Sequence, residues 1–294
     1  MKQDMDRFGY PLAPYMPLEE YAELFSEYYM FKREDGILEV LQHTNGDSPV
    51  VGGGFDRAMG DLPGFIGPDR ENKVIIVGTA GEYNMGGIDP KCVAALAENM
   101  EKGIGSGLMG QYDLWVNANR RVSDWSYQFY VPTIGIIKKG RPSLHVMHCD
   151  IKLCTPDAKF GENHYKTAVV VGDGNFSWMR DSMGDAAANH MVYTAGEIDA
   201  EKALEIGLVS EIVPADKIMD RAWEIAREIM KQPEPIRKMT HELMRQRDLK
   251  KLAEDQTLHT SFEWWGSAIC SVTNFDRLKN RMNDIKEAGG TLHE

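Results

Sequence analysis

Residues 73–89 read KVIIVGTAGEYNMGGID, and the beginning of this stretch decides the fold class. Its first part, Lys73–Gly78, consists mainly of apolar, β-branched residues. Runs of this kind are typical of strands in sheets that are covered on both faces. The sequence therefore predicts a buried strand that runs straight into a loop at residues 79–89.

Strand-like and helical segments alternate on both sides of this strand. The alternation of apolar residues in Ile37–Gln42 predicts one strand, and the apolar runs Val131–Ile137 and Cys149–Leu153 predict others. Alternating strands and helices are typical of βαβ construction, so the sequence predicts the α/β class. Helical patterns occur at Leu18–Tyr29, Phe55–Leu62, Pro90–Val122, Met179–Thr194, Ala200–Gly207, Asp216–Met230, Ile236–Glu254 and Gln256–Ile285.

The chain divides into three parts by pattern. Residues 1–29 predict an N-terminal arm with a short helix, residues 30–220 a core, and residues 221–294 a helical region without strands. Because the arm is rich in Pro, Tyr and Met, it packs on its own subunit, packs on a neighbouring subunit, or forms a disordered tail.

Composition limits the partners and the compartment. The net charge is -12 and no block of Lys and Arg is present, which argues against a nucleic acid or an anionic membrane surface as the main partner. The four cysteines form no C-x-x-C pair, so we expect no disulfides, no metal and no other cofactor. Without a signal-peptide pattern or a long apolar run, the sequence predicts a soluble, cytoplasmic protein.

The stretch FGENHYKTAVVVGDG, residues 160–174, places His164 nine residues before Asp173. A carboxylate on one imidazole nitrogen fixes the tautomer and raises the basicity of the other nitrogen, which produces a water-activating base. The alternative is that Asp173 caps the helix that begins near Asn175, while His164 merely lies in a loop. The residues alone leave both interpretations open.

Several of these segments resemble the crotonase (enoyl-CoA hydratase/isomerase) superfamily, in order and in spacing. The segment Asp69–Thr79 resembles the strand before that family's first active-site loop, and Met85–Asp89 stands where the family has its A-G-A-D oxyanion loop. The segment Phe160–Gly174 fits the frame F-x-x-P-E…P-G-x-G, and Thr194–Val209 fits T-G…A…A…G-L-V, the most specific match.

The resemblance implies a fold and an assembly. We expect a crotonase-like spiral of ββα turns at residues 30–220 and a C-terminal helical oligomerisation region at residues 221–294. Members of the superfamily form homotrimers, often paired as hexamers, so the resemblance implies the same for this chain.

The chain departs from the hydratases of that superfamily at their two catalytic glutamates. The segment that carries the first glutamate is shortened here to Gly140–Asp150, and Asn163–His164 replaces the P-E pair that carries the second. This pattern resembles the 6-oxocamphor hydrolase branch, which cleaves a carbon–carbon bond in a free β-diketone and uses histidines.

Resemblance to that branch implies four catalytic residues. His164 is expected to be the base, Asp173 its orienting partner, and His145 the donor to the carbonyl that becomes the enolate. Glu263 matches a late glutamate of the branch, although it could also lie at the surface or at a subunit interface. A further histidine of the branch falls near Phe55–Asp56 and is absent.

The expected substrate is a small cyclic β-diketone without CoA. Its expected contacts are Tyr83, Met85, Gly86, Gly87, Phe262 and Trp264. Two alternatives remain: an acyl-CoA hydratase, hydrolase or lyase of the same fold with histidine chemistry, and a catalytically silent subunit of an assembly.

Overall fold

The structure, a computed structural model, describes residues 1–52, 54–89, 91, 125, 128–142, 144–166, 169–251, 256, 258–263 and 265–266. Its strands are β1 (Tyr29–Glu34), β2 (Ile37–Gln42), β3 (Val50–Val51), β4 (Val74–Thr79), β5 (Gly87–Ile88), β6 (Thr133–Ile137), β7 (Ile151–Cys154), β8 (Lys159–Gly161), β9 (Glu197–Asp199) and β10 (Glu211–Ile212). Its helices are α1 (Leu18–Leu24), α2 (Gly54–Asp61), α3 (Pro63–Ile66), α4 (Leu144–Met147), α5 (Asn175–Met183), α6 (Asp185–Thr194), α7 (Ala200–Glu205), α8 (Ile218–Met230) and α9 (Glu234–Lys251).

A six-stranded sheet in the order β1-β2-β4-β6-β7-β10 forms the centre of the described part. β1 and β2 are antiparallel, and the other neighbouring pairs are parallel. Every residue of β4 and β6 is buried, as expected for strands with both faces covered. The sheet and its helices confirm the predicted α/β class.

The predicted strands shift by one or two residues at one or both ends, except for β2, which has the predicted ends. β6 begins after Pro132, because proline has no N–H to donate to a neighbouring strand. β1 was not predicted, and it takes Tyr29, the last residue of the predicted first helix. The turn from β1 to β2 consists of Asp35 and Gly36, whose φ angles of 50° and 83° suit a tight hairpin.

Alternate residues of β4 enter different hydrophobic clusters on the two faces of the sheet. Ile75 and Val77 face the larger cluster, whereas Val74 and Ile76 face the cluster that contains α8. A strand with period-two side chains can bury both faces only if each face has a covering layer. Helix α8 provides the layer that covers Val74 and Ile76, through Ile218, Ala222, Trp223 and Ala226.

One predicted helix is divided in the structure, and two others lie largely outside the described residues. The predicted helix Met179–Thr194 is two helices, α5 and α6, because Gly184 between them has a φ of 80°, outside the helical region. Almost all of Pro90–Val122 and most of Gln256–Ile285 lie outside the described residues. None of the helices in the described part is both long and apolar enough to span a bilayer.

The N-terminal arm folds back on its own subunit. Lys2 forms a β-bridge with Tyr15, and Met5 forms one with Pro11. Arg70 then fixes the arm, since its guanidinium bonds to Asp4 at 3.3 Å.

A buried ion pair joins the β1 strand to the segment before β4. Arg33 is 11% exposed, and its Nη1 lies 2.6 Å from Oδ2 of Asp69, whose side chain is fully buried. Tyr21 donates its hydroxyl to the same carboxylate at 3.1 Å. The other guanidinium nitrogen of Arg33 bonds Glu71, which is 43% exposed.

We expect Asp69→Ala to lower the free energy of unfolding by about 3 to 5 kcal/mol, because it leaves the Arg33 cation buried without its main partner. Glu71→Gln is the matched control, since it removes the exposed carboxylate from the same arginine and should cost less than about 1 kcal/mol. Urea unfolding followed by circular dichroism at fixed protein concentration measures both. Equal losses would show that burial of Asp69 is unimportant.

Candidate active site

The imidazole of His164 lies between two carboxylates. Its Nδ1 makes a short hydrogen bond to Oε1 of Glu162, a side chain that is 1% exposed. The backbone N–H of His164 donates to the same oxygen at 2.7 Å. On the other side of the ring, Nε2 lies 3.7 Å from Oδ2 of Asp173. The structure therefore brings the two predicted residues together and adds Glu162, which the sequence analysis did not identify.

Local structure explains how this cluster forms. β8 pairs with β9, and Phe160 of β8 is fully buried, so the chain leaves the sheet at Gly161 in a fixed direction. Glu162 and His164 are two residues apart, and both the backbone N–H and the ring of His164 bond the same Glu162 oxygen, which such a short spacing allows. This spacing is the sequence signal by which Glu162 could have been found.

The contacts of Asp173 also fit the alternative interpretation, in which this residue caps the helix that begins near Asn175. Its Oδ1 accepts the backbone N–H of Asn175, the first residue of α5, at 3.2 Å. Its Oδ2 accepts the side-chain amide of Asn175 at 3.1 Å and faces His164. One carboxylate therefore serves the helix end and the imidazole, because each of its oxygens can accept more than one hydrogen bond.

The charges of the cluster favour a protonated imidazole. Burial is the largest single effect on His164 and lowers its pKa, but the carboxylates of Glu162, Asp173 and Glu263 outweigh it and raise that pKa to about 10. Burial raises the pKa of Glu162, yet the His164 cation beside it brings the net value below the ordinary one. At neutral pH the pair is thus an imidazolium against a carboxylate.

Glu263 is buried beside the same cluster. Glu263 is 9% exposed, and a Cβ atom built on Gly172 would lie only 2.5 Å from the Cβ of Glu263. Gln256 and Thr260 donate to the carbonyl of Gly172 at 3.1 and 3.3 Å. Because only a glycine permits this close approach, Gly172 allows residues 256–263 to carry Glu263 to the site.

His145 has different neighbours. It lies in α4 and is 1% exposed, with its Nδ1 3.2 Å from Nε2 of Gln42 and its ring centroid 4.4 Å from that of Trp125. It also lines a cavity of about 200 Å³. That cavity is bordered as well by Trp125, Phe129, Thr133, His148, Cys149, Asp150, Lys152, His241, Met244, Arg245 and Leu249.

Two side chains hold the loop at residues 79–89, whose last part is the predicted oxyanion loop. Asn84 is 1% exposed and donates to the carbonyls of Lys138 and Gly140 at 2.7 and 3.0 Å. The ammonium of Lys138 donates to the carbonyls of Thr79 and Gly81 at 2.8 and 2.9 Å. The loop is therefore tied to the end of β4 and to the segment after β6.

Backbone N–H groups of this loop already form hydrogen bonds within the protein. The N–H of Gly86 donates to the carbonyl of Pro49 at 2.8 Å, and Gly87 pairs with Val50. The Gly86 amide is consequently not a donor for a substrate oxygen in this structure. Tyr83, beside the loop, packs under the ammonium of Lys139 at 4.7 Å.

The remaining predicted contacts lie on the C-terminal segment. Phe262 is 56% exposed in the single chain. Trp264 lies outside the described residues. An exposed aromatic ring next to Glu263 can contact either a substrate or a neighbouring subunit.

The cluster has the ligand types of a metal site. One ligand atom each from Glu162, His164 and Asp173 lies within 4.8 Å of the others. A metal bound to Nε2 of His164 would compete with a proton there, because a ligating imidazole nitrogen must be unprotonated. The carboxylates that raise the pKa of His164 favour either cation, so the arrangement suits proton transfer or a bound metal ion.

Part of the chain matches a known family. The model of the enoyl-CoA hydratase/isomerase family matches residues 141–266. This range contains His145 and the whole Glu162, His164, Asp173 and Glu263 cluster.

Comparison with individual proteins gives two kinds of relative. A β-diketone hydrolase structure from Anabaena sp. PCC 7120, bound to (S)-3-oxocyclohexyl acetic acid, is 28% identical, with a TM-score of 0.74, 84% of this chain and 97% of that chain covered. A hydroxycinnamoyl-CoA hydratase-lyase from Pseudomonas fluorescens is 25% identical over 74% of this chain and 78% of that enzyme. A short-chain-enoyl-CoA hydratase from Clostridium acetobutylicum is 33% identical, but over only 29% of this chain and 32% of that enzyme.

Proposed function

Because the chain is an enzyme of the crotonase superfamily, we propose that it hydrolyses a carbon–carbon bond of a β-diketone in a retro-Claisen reaction. The proposed substrate is cyclic and carries no CoA, and the product is a keto acid. The observation that carries the proposal is the His164 imidazole held between the Glu162 and Asp173 carboxylates.

Two further points support this proposal. The two glutamates expected in a hydratase of the superfamily are absent, and the imidazole cluster occupies the position of one of them. The similar β-diketone hydrolase was bound to a keto acid, which is the product class of such a cleavage.

The proposed reaction begins with water between His164 and Asp173. The 3.7 Å gap from Nε2 to Oδ2 is of the kind that a water molecule can bridge. Asp173 takes one proton from this water, and the oxygen adds to one carbonyl of the diketone. The tetrahedral intermediate then breaks the bond between that carbon and the central carbon. The products of this step are a carboxylic acid and an enolate, because the second carbonyl takes up the negative charge.

The second half of the reaction returns the proton. The imidazolium of His164 protonates the enolate carbon, and Asp173 passes its proton back to His164, so one water has been added. His145 donates a hydrogen bond to the enolate oxygen in this scheme. These roles differ from those inferred from the sequence, because Glu162 orients the ring and the raised pKa keeps His164 protonated in the resting enzyme.

The second candidate is an acyl-CoA enzyme with the same fold. The hydroxycinnamoyl-CoA hydratase-lyase, which matches 74% of this chain, favours it. The retained Gly86–Gly87 pair also favours it, although the Gly86 amide is bonded to Pro49. The Glu162 carboxylate on the ring of His164 favours the diketone hydrolase.

Mass spectrometry separates the two candidates. We expect cyclic β-diketones to gain one water and open, and acyl-CoA esters to remain unchanged. Asp173→Asn keeps a side chain that can accept the Asn175 N–H, yet should lower kcat by about two to four orders of magnitude because it cannot take the proton. Asp185→Asn, an exposed carboxylate on α6, is the control and should retain the rate. If only acyl-CoA esters were turned over, the result would contradict the diketone hydrolase and support the acyl-CoA enzyme.

The pH dependence tests the roles of His164 and Asp173. If the imidazolium is required, kcat/KM is level near neutral pH and falls as the pH rises through about 10. Glu162→Gln removes one of the charges that raise this pKa, so the fall should move to lower pH by about 1 to 3 pH units. Glu197→Gln, on the neighbouring β9, is the control and should leave the profile in place. A rate that instead rises toward pH 10 would identify neutral His164 as the base.

The proposed assembly is a homotrimer or a dimer of trimers. One face of α9 carries large apolar side chains that are 56 to 73% exposed in the single chain. They are Ile236, Met239, Leu243 and Met244. Contiguous apolar surface of this kind marks an interaction site.

Light scattering should therefore give three or six times the chain mass of 33.1 kDa. Met239→Glu combined with Leu243→Glu should lower that mass, because charges enter the apolar face. Leu24→Glu, at a similarly exposed position on α1, should leave it unchanged. A monomer at micromolar concentration would contradict the proposed assembly.

A further inference from the structure

Gln42 is a polar side chain that is completely buried at the end of β2. Its neighbour in the sheet is Thr79, at the end of β4. The five preceding residues of the strand, Ile37–Leu41, are mostly apolar. A buried amide in such a strand needs a hydrogen-bond partner to offset the loss of water.

Within the described residues, the side chain of Gln42 has one hydrogen-bond partner, the imidazole of His145. Nε2 of Gln42 lies 3.2 Å from Nδ1 of His145, and both side chains are buried. In this structure the amide nitrogen of Gln42 faces Nδ1, and an amide nitrogen donates but cannot accept, so in this arrangement Nδ1 is the unprotonated acceptor. The proton of a neutral His145 is then on Nε2.

Burial of His145, which is 1% exposed, opposes a second proton, because it penalises the charged form of an imidazole. In the amide orientation of this structure an Nδ1–H would face the NH2 group of Gln42, and turning the amide would offer it Oε1, which has no hydrogen-bond partner among the described residues. The titratable groups that line the same cavity are His148, Cys149, Asp150, Lys152, His241 and Arg245. Asp150, the acid among them, is 3.1 Å from Nδ1 of His241.

We propose that Gln42 is a positioning residue that keeps His145 neutral, with its proton on Nε2, as a hydrogen-bond donor to the substrate. The identity of the acceptor, the carbonyl oxygen that becomes the enolate oxygen, rests on the proposed function. A neutral N–H strengthens its hydrogen bond as negative charge develops on that oxygen and does not transfer its proton. The enolate carbon is thus left for protonation by His164.

The tautomer can be read without any substrate. In ¹⁵N-histidine-labelled protein, magic-angle-spinning NMR distinguishes a protonated ring nitrogen from an unprotonated one. The signals of His145, identified by their loss in His145→Phe, should show bare Nδ1 and protonated Nε2 at neutral pH. They should stay unchanged when the pH is lowered to about the ordinary histidine pKa of 6.5. A protonated Nδ1 in the wild-type protein would overturn the proposal.

Three variants test the consequence for catalysis. Gln42→Met removes the donor at similar size, so kcat should fall by about one to two orders of magnitude while KM changes little. Gln42→Glu keeps the shape but accepts a proton from Nδ1, so it should protonate His145 and add a new ionisation to the kcat profile. Thr79→Val, at the paired position of β4, is the control and should alter neither the NMR signals nor the rate.

The outcomes separate this inference from the proposed function. If wild-type protein turns over diketones and Gln42→Met keeps its kcat, the positioning role is wrong and the proposed function stands. If no diketone is turned over but the NMR signals show bare Nδ1 that becomes protonated in Gln42→Glu, the tautomer assignment stands and the proposed substrate is wrong.

Discussion

The parallel pairing of β2, β4 and β6 is the constraint on which the rest of the structure depends. It aligns Gln42 with Thr79 and carries Ile76 beside Ile134, so the strands end along one edge. Parallel sheets generally place their functional loops at the carboxyl ends of their strands. At this edge Gln42 contacts His145, and Lys138 holds the carbonyls that end β4. Sheet register thereby determines which polar side chains meet.

The residues around His164 interact with one another mainly through charge. The sheet supplies a rigid base, but the state of His164 depends on carboxylates that come from separate parts of the chain. Glu162 follows β8, Asp173 precedes α5, and Glu263 comes from the C-terminal segment. The two histidines consequently differ in their neighbours: His164 lies between carboxylates that raise its pKa, whereas His145 lies against the amide of Gln42. Two imidazoles in one protein can thus perform different chemistry.

The sequence predicted the parts of the fold that depend on local pattern. β4 is recognisable because all six of its residues are apolar or small and buried. β1 was missed because it ends in three charged residues, Lys32, Arg33 and Glu34. The burial of Arg33 depends on its ion pair with Asp69, which is a tertiary contact. The pairing of His164 with Asp173 came from a family pattern. The contacts of Glu162, Gln42 and the Gly86 amide depend on side-chain directions and distant partners, which a single sequence does not contain.

The close contact between Gly172 and residues 256–263 also orders events during synthesis. The ribosome makes His164 and Asp173 long before it makes Glu263, so the nascent core emerges with the carboxylate cluster incomplete. Gln256 and Thr260, which bond the carbonyl of Gly172, also lie late in the chain. A nascent chain that ends before residue 256 therefore lacks both of these contacts and the Glu263 charge beside His164.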